Sequence, residues 1–172
     1  KGEHPRFGAM DVCPLIPISG VTLEECAEFA RELGRRLGDE QGRSVFLYES
    51  AARTPERKNL AKVRAGEYEG LAERLTGGDH VPDHGPSVFD ARYGATAVGA
   101  RPFLIAYNVN LNTTSSRRAN AIAFDVREKG RLHREPDPLT GEIVRDPDGA
   151  AQWIPGALRC VKGIGWVIEE YG

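Results

Sequence analysis

The apolar positions along the chain fall into alternating and helical stretches separated by glycine and proline. Met10 to Ile18 has strand composition, and Pro14 and Pro17, which lack a backbone donor, predict that the strand is an edge or is bulged. Gly20 then turns the chain. Thr22, with Glu25 three residues on, has the form of a capping box, and Leu23, Cys26, Ala27, Ala30, Leu33 and Leu37 recur at helical spacing. That pattern predicts a helix ending at Gly38. Ser44 to Ser50, SVFLYES, reads as a compact buried strand. Glu56 to Leu75 is helical in pattern but interrupted at Gly66 and Gly70, predicting two short helices around RAGEYEG. From Thr76 to Gly99 glycine, proline, aspartate and serine dominate and no period survives for long, so this stretch reads either as a long functional loop or as regular structure that the pattern misreads.

Beyond residue 102 the pattern resumes. FLIAYNVNL alternates, placing Phe103, Ile105, Tyr107, Val109 and Leu111 on one strand face and Leu104, Ala106, Asn108 and Asn110 on the other. Ser115 or Ser116 caps a following helix with Ala119, Ile122, Ala123 and Val126 as its inner stripe and Gly130 at its end. Residues 131–158 form an insert rich in turn chemistry, with a hairpin carrying EIV, and Cys160 to Glu169 predicts a final strand. Two strand–helix–strand units result, giving an α+β chain divided into residues 1–102 and 103–172.

Composition narrows the partners. The 172 residues suffice for a core without disulfides or metal, and a net charge of −2, with no block of basic residues, gives no footprint for nucleic acid or an anionic membrane. Three cysteines in unrelated contexts point to a reduced, cytoplasmic chain. No apolar run reaches the ~20 residues of a membrane span, and the opening residues lack the form of a signal peptide. Lys1 therefore reads as a boundary cut into a longer chain.

Candidate chemistry concentrates in a few places. His4, followed by Pro5, is held out of a helix interior and titrates near neutrality, so it can accept and return a proton; alone it specifies no reaction. His80 and His84 in DHVPDHG have metal-ligand types at i and i+4, but Pro82 opposes the helix that would converge them, and no metal is expected. Arg64 and Glu67 flank the break at Gly66 and suit a carboxylate and an ammonium, or simply a surface ion pair. Asn108 and Asn110 share a face and can bind a polar heterocycle, or face water. Gly85, Pro86, Ser87, Val88, Phe89, Asp90, Ala91, Arg92, Tyr93 and Gly94 form a segment with backbone freedom at both ends, a ring to stack on and a cation for an anion. It carries neither the G-x-G-x-x-G nor the G-K-S/T phosphate pattern.

The runs KGEHPRFGAMDVCPLIPI, RAGEYEGL, GPSVFDARYGATAVGARPFLIAYNVNL and VKGIGWVIEE together resemble the formiminotransferase family. The resemblance covers Lys1 to about Arg127 and resumes at Val161, skipping the insert. It implies two α/β subdomains with mixed sheets facing each other and helices outside. It also implies transfer of a formimino group from N-formimidoyl-L-glutamate to N5 of tetrahydrofolate, a co-substrate, in histidine degradation and one-carbon metabolism. His4 falls on the family's catalytic acid/base in G-E-H-P-R, and Gly85 to Gly94 on its folate-binding run. Both substrates carry carboxylates, which turns attention to Arg6, Arg64, Arg92 and Arg101.

The family's sheet begins before G-E-H-P-R and its second subdomain continues beyond G-I-G-W, so both subdomains read as truncated. The activity of this polypeptide by itself is therefore open, and a homodimer or missing chain segments are expected to complete it. A non-catalytic folate- or carboxylate-binding module is the competing reading; it would need the 85–94 segment and make no demand on His4.

Overall fold

The structure is a computed structural model describing residues 5–77 and 80–166, and it divides into two compact units, residues 1–106 and 107–172. The chain is α+β, with parallel pairing in the first unit and antiparallel pairing in the second.

Three strands build the first unit's sheet: β1 (Val12–Leu15), β2 (Ser44–Glu49) and β3 (Ala95–Ala100), in the order β1-β3-β2, all parallel. β1 lies at the edge, where Pro14 removes no donor from a two-sided ladder. α1 (Leu23–Gln41) makes the crossover from β1 to β2, and both halves of the Thr22–Glu25 capping box are formed. Cys26, Ala27 and Ala30 of α1 pack on one sheet face against Val45, Leu47, Val98 and Ala100. The opposite face carries Phe46, Tyr48, Ala95 and Ala97, covered by Phe7 and by Val63, Leu71 and Leu75 from α2 (Leu60–Val63) and α3 (Leu71–Thr76). Burial on both faces explains why β2 is continuously apolar rather than alternating.

The central strand was hidden inside the stretch expected to be a loop, Thr76 to Gly99. ATAVGA is built from small residues of weak strand propensity, and its position between two partners, not its composition, makes it a strand. α1 also runs past Gly38 and ends at Gly42, in the left-handed region with φ 62°. Gly38 is instead a contact point: a Cβ there would stand 2.6 Å from Gly85 N and from His84 Cβ.

In the second unit α4 (Ser116–Val126) is capped by the Ser115 hydroxyl, while β4 (Arg131–Leu132) pairs with β7 (Trp153–Ile154) and β5 (Arg134–Glu135) with β6 (Glu142–Ile143). The insert thus holds short antiparallel pairs, and the expected EIV hairpin is β5–β6.

Two predicted strands do not form. Phe103 to Leu111 is irregular and joins no backbone ladder among the described residues; Ile105 is 90% and Tyr107 86% exposed. An alternating sequence becomes a strand only when a neighbour accepts its backbone groups. Residues 160–166 are also irregular, and 167–169 of that expected strand lie outside the described residues. There the Asn120 carboxamide takes the place of a neighbouring strand, donating to Gly165 O at 2.8 Å and accepting from Gly165 N at 3.0 Å.

Gly94 (φ +64°) packs so tightly that a Cβ would lie 2.2 Å from Phe7 O, whereas Gly20 (φ +68°) has nothing within 4 Å. Gly20→Ala is expected to destabilise by about 1 kcal/mol, the backbone cost alone, and Gly94→Ala by clearly more than about 2 kcal/mol. Urea unfolding of the two variants checks this; equal losses would show that the close approach carries no energy.

Candidate functional site

Three of the singled-out segments meet on the first unit. Pro5 to Asp11 is stitched along one side to the start of β3, through Ala95 N to Phe7 O at 3.0 Å, Ala9 N to Tyr93 O at 2.9 Å and Ala97 N to Asp11 O at 2.9 Å. Along its other side it holds the RAGEYEG loop: Tyr68 N donates to Arg6 O at 2.8 Å, and Arg64 pairs with Asp11, whose other oxygen accepts from Phe7 N at 2.9 Å. The loop itself is shaped by positive φ at Gly66 and Glu67. His4 lies outside the described residues; Pro5 and Arg6 are the described part of its motif.

The Gly85–Gly94 segment is anchored along its length. Ser44 Oγ donates to Pro86 O at 2.6 Å and Ser87 Oγ to Leu75 O at 3.0 Å. Asp90 receives the backbone N–H of Arg92 at 2.8 Å and reaches Arg43 at 3.3 Å, and the Arg43 guanidinium lies 3.6 Å from the centre of the Tyr93 ring. Tyr68 Oη donates to Ala91 O at 2.6 Å, and its ring meets Phe89 at 5.4 Å. Val88 and Arg92 are exposed and Phe89 half-buried. The segment is therefore a held loop with an aromatic pair beside it.

Two of the four expected cations, Arg6 and Arg64, are already paired with carboxylates, whereas Arg92 lies over the Tyr93 ring and Arg101 donates to Pro102 O. Arg6 contacts Glu69 at 2.7 Å and Glu67 at 3.3 Å, and this pairing holds the Glu69 carboxyl down to about 2. A substrate carboxylate approaching Arg6 or Arg64 would compete with an existing acidic partner. Asn108 and Asn110 are exposed in an irregular segment of the second unit, so the shared strand face expected for them does not exist.

Sequence reasoning missed Tyr68, Glu69, Asp11 and Arg43. RAGEYEG was recognisable, but only the fold reveals that Tyr68 faces the 85–94 segment. Arg43, one residue before β2, carried no local signal.

DHVPDHG clamps the edge of β2 instead of converging on an ion. Asp83, with a side chain 4% exposed, accepts from Leu47 N at 2.7 Å and pairs with Arg57 at 2.5 Å, and His84 lies beside Arg53 at 3.0 Å. Among the described residues no three His, Cys, Asp or Glu side chains gather as a metal group, and no helix is long and apolar enough to cross a membrane. His80 stacks on Phe46 at 4.6 Å and its Nε2 lies 2.5 Å from Arg74, which also donates to Val63 O and Ala65 O beneath the RAGEYEG loop. A guanidinium only donates, so the Arg74 contact needs an unprotonated Nε2, while the Val63 carbonyl 3.2 Å from the same atom could be served only by a protonated one; the shorter Arg74 contact favours the unprotonated nitrogen. Burial, then the Arg74 charge, pushes the His80 pKa down to about 4.

Residues 1–101 match the family model described as formiminotransferase domain, N-terminal subdomain, and residues 106–172 the model described as formiminotransferase domain. The chain is 48% identical over 170 residues to a formimidoyltransferase-cyclodeaminase of Mus musculus, covering 99% of this chain and 28% of that protein. It is 48% identical over 129 residues to a glutamate formimidoyltransferase of Streptococcus pyogenes serotype M1, covering 75% of this chain and 43% of that protein. The chain thus spans less than half the length of these curated relatives.

Because His80 is neutral in the fold down to about pH 4 while an unfolded histidine takes its proton near 6.5, the unfolded state binds more protons in that window and stability falls as pH drops through it. Thermal unfolding at pH 7 and pH 4.5 should show a larger loss for the wild type than for His80→Gln. Parallel losses would refute the assignment.

Proposed function

The chain belongs to the formiminotransferase domain family, and from that membership we propose that the protein carrying it is a glutamate formimidoyltransferase. It moves the formimino group from N-formimidoyl-L-glutamate to N5 of tetrahydrofolate, both of them small-molecule substrates, in the cytoplasm. The observation that carries the reading is the joining of the G-E-H-P-R motif's described part, RAGEYEG and the 85–94 segment by direct hydrogen bonds.

In this reaction N5 attacks the amidine carbon to give a tetrahedral adduct. The new C–N bond makes the N5 proton acidic, and the C–N bond to glutamate breaks once that nitrogen is protonated. His4 takes the proton from N5 and delivers it to the departing nitrogen, so one imidazole serves both halves and no covalent enzyme intermediate forms. The pterin lies against Gly85–Gly94, where the Phe89 and Tyr68 rings offer a stacking surface. Arg6 and Arg64 receive carboxylates by exchange with Glu69 and Asp11.

His4→Ala in the full chain is expected to lower kcat by about 10²–10⁴-fold, the usual contribution of positioned proton transfer, with folate affinity changed by less than about 3-fold. Steady-state kinetics and equilibrium folate binding measure the two quantities. Near wild-type turnover in the variant removes the role of His4, and saturable folate binding by the wild type without transfer replaces the enzyme with a binding module.

A further inference from the structure

The RAGEYEG loop holds two neighbouring segments, and one side chain, that of Arg74, holds the loop. Arg74 reaches back from α3: one terminal nitrogen donates to Val63 O at 3.2 Å and to Ala65 O, and the other to His80 Nε2 at 2.5 Å. Val63 ends the single turn of α2, and among the described residues neither carbonyl accepts a backbone N–H. The chain that follows passes through positive φ at Gly66 and Glu67, a conformation that a non-glycine residue keeps only where its surroundings impose it. Gly66 packs on the stem of Arg74, since a Cβ there would stand 3.3 Å from Arg74 Cδ. His80 in turn is fixed to the sheet by its stack on Phe46, a fully buried residue of β2. A line of contacts therefore runs from the core through an imidazole and a guanidinium into the loop.

What the loop holds is the described end of the histidine motif and the 85–94 segment. Glu67 and Glu69 bind the Arg6 guanidinium, Tyr68 N donates to Arg6 O, and Tyr68 Oη donates to Ala91 O. Arg6 is two residues from His4, so the backbone at Arg6 sets the point from which the imidazole is presented. We propose that Arg74, seated by His80, is a positioning residue for formimino transfer, fixing the RAGEYEG loop and through it the backbone of the histidine motif. This rests on the formiminotransferase reading and gives Arg74 and His80, to which that reading assigns nothing, a part in the rate. The arrangement needs a guanidinium: its planar fork divides two nitrogens between the carbonyls and the imidazole, whereas a lysine brings a single nitrogen. His80 serves as the seat because its Nε2 accepts, and burial keeps the ring neutral. Arg74 acts through residues 64–70 and not on the substrates.

The test compares Arg74→Met, Arg74→Lys and His80→Phe with the wild type in the full chain, measuring kcat, both KM values, the thermal midpoint and amide hydrogen exchange. Loosening the loop is expected to lower kcat by about 10–100-fold in Arg74→Met, the scale of a ~1 Å misplacement, and by less in Arg74→Lys. Both KM values should stay within about 3-fold, because the 85–94 segment keeps its own anchors at Ser44, Ser87 and Arg43. His80→Phe keeps the stack on Phe46 but offers no acceptor; combined with Arg74→Met it should cost no more than the larger single loss. Exchange at the Tyr68 amide should quicken by about 10-fold in Arg74→Met while β2 and β3 keep wild-type protection. A lowered midpoint with kcat within about 2-fold of wild type makes Arg74 a stabilising residue only and overturns the proposal, as does additive loss in the double variant. Should Arg74→Met fail to fold, Arg74→Lys and His80→Phe carry the same comparison. Exchange needs no turnover: an unchanged Tyr68 amide overturns the positioning role, whereas a wild type that performs no transfer counts against the formiminotransferase reading alone.

Discussion

Two backbones meeting without side chains between them hold the candidate site together. Gly8 and Gly94 lie opposite each other in a β-bridge; a Cβ on Gly8 would reach 1.9 Å from Ala95 O, and one on Gly94 2.2 Å from Phe7 O. This contact fixes the chain ahead of β1 against the entry to the central strand. Pro5 to Asp11 then acts as a seam, with the 85–94 segment on one side and RAGEYEG on the other. On the β3 side its hydrogen bonds run backbone to backbone and depend on the path of the chain, while on the RAGEYEG side the Arg6 and Asp11 side chains add to the Arg6–Tyr68 backbone bond.

Charge balance is the second organising feature. Arg6, Arg64, Arg57 and Arg43 all hold carboxylates, two of them inside the seam. Such pairs position long side chains and limit free positive charge in the resting protein. An anion must then compete with Glu69 or Asp11, which selects for ligands with more than one point of attachment.

Local signals carried over faithfully where local physics decides the outcome. The Thr22–Glu25 box, Pro14 on an edge strand, the apolar β2 and the Gly66 break all formed as their residues dictate, although β1 covers only Val12–Leu15 of the expected Met10–Ile18 and leaves Pro17 outside it. Failures occurred where tertiary contact overrides propensity. Ala95 to Ala100 is a strand because it lies between β1 and β2, and Gly38 makes room for the His84–Gly85 backbone instead of ending a helix. The candidate site was legible as motifs but not as neighbours: nothing in the order of residues announces that Tyr68 reaches Ala91, or that Arg43 lies against Tyr93.

The open run from Phe103 to Leu111 has a consequence for handling the protein. Exposed apolar side chains on an irregular, unpaired backbone offer other molecules both a greasy surface and a row of free amides and carbonyls. Left uncovered, that ribbon would make the polypeptide colloidally unstable, joining copies edge to edge at high concentration. Whatever shields it therefore sets the conditions under which the chain remains dispersed.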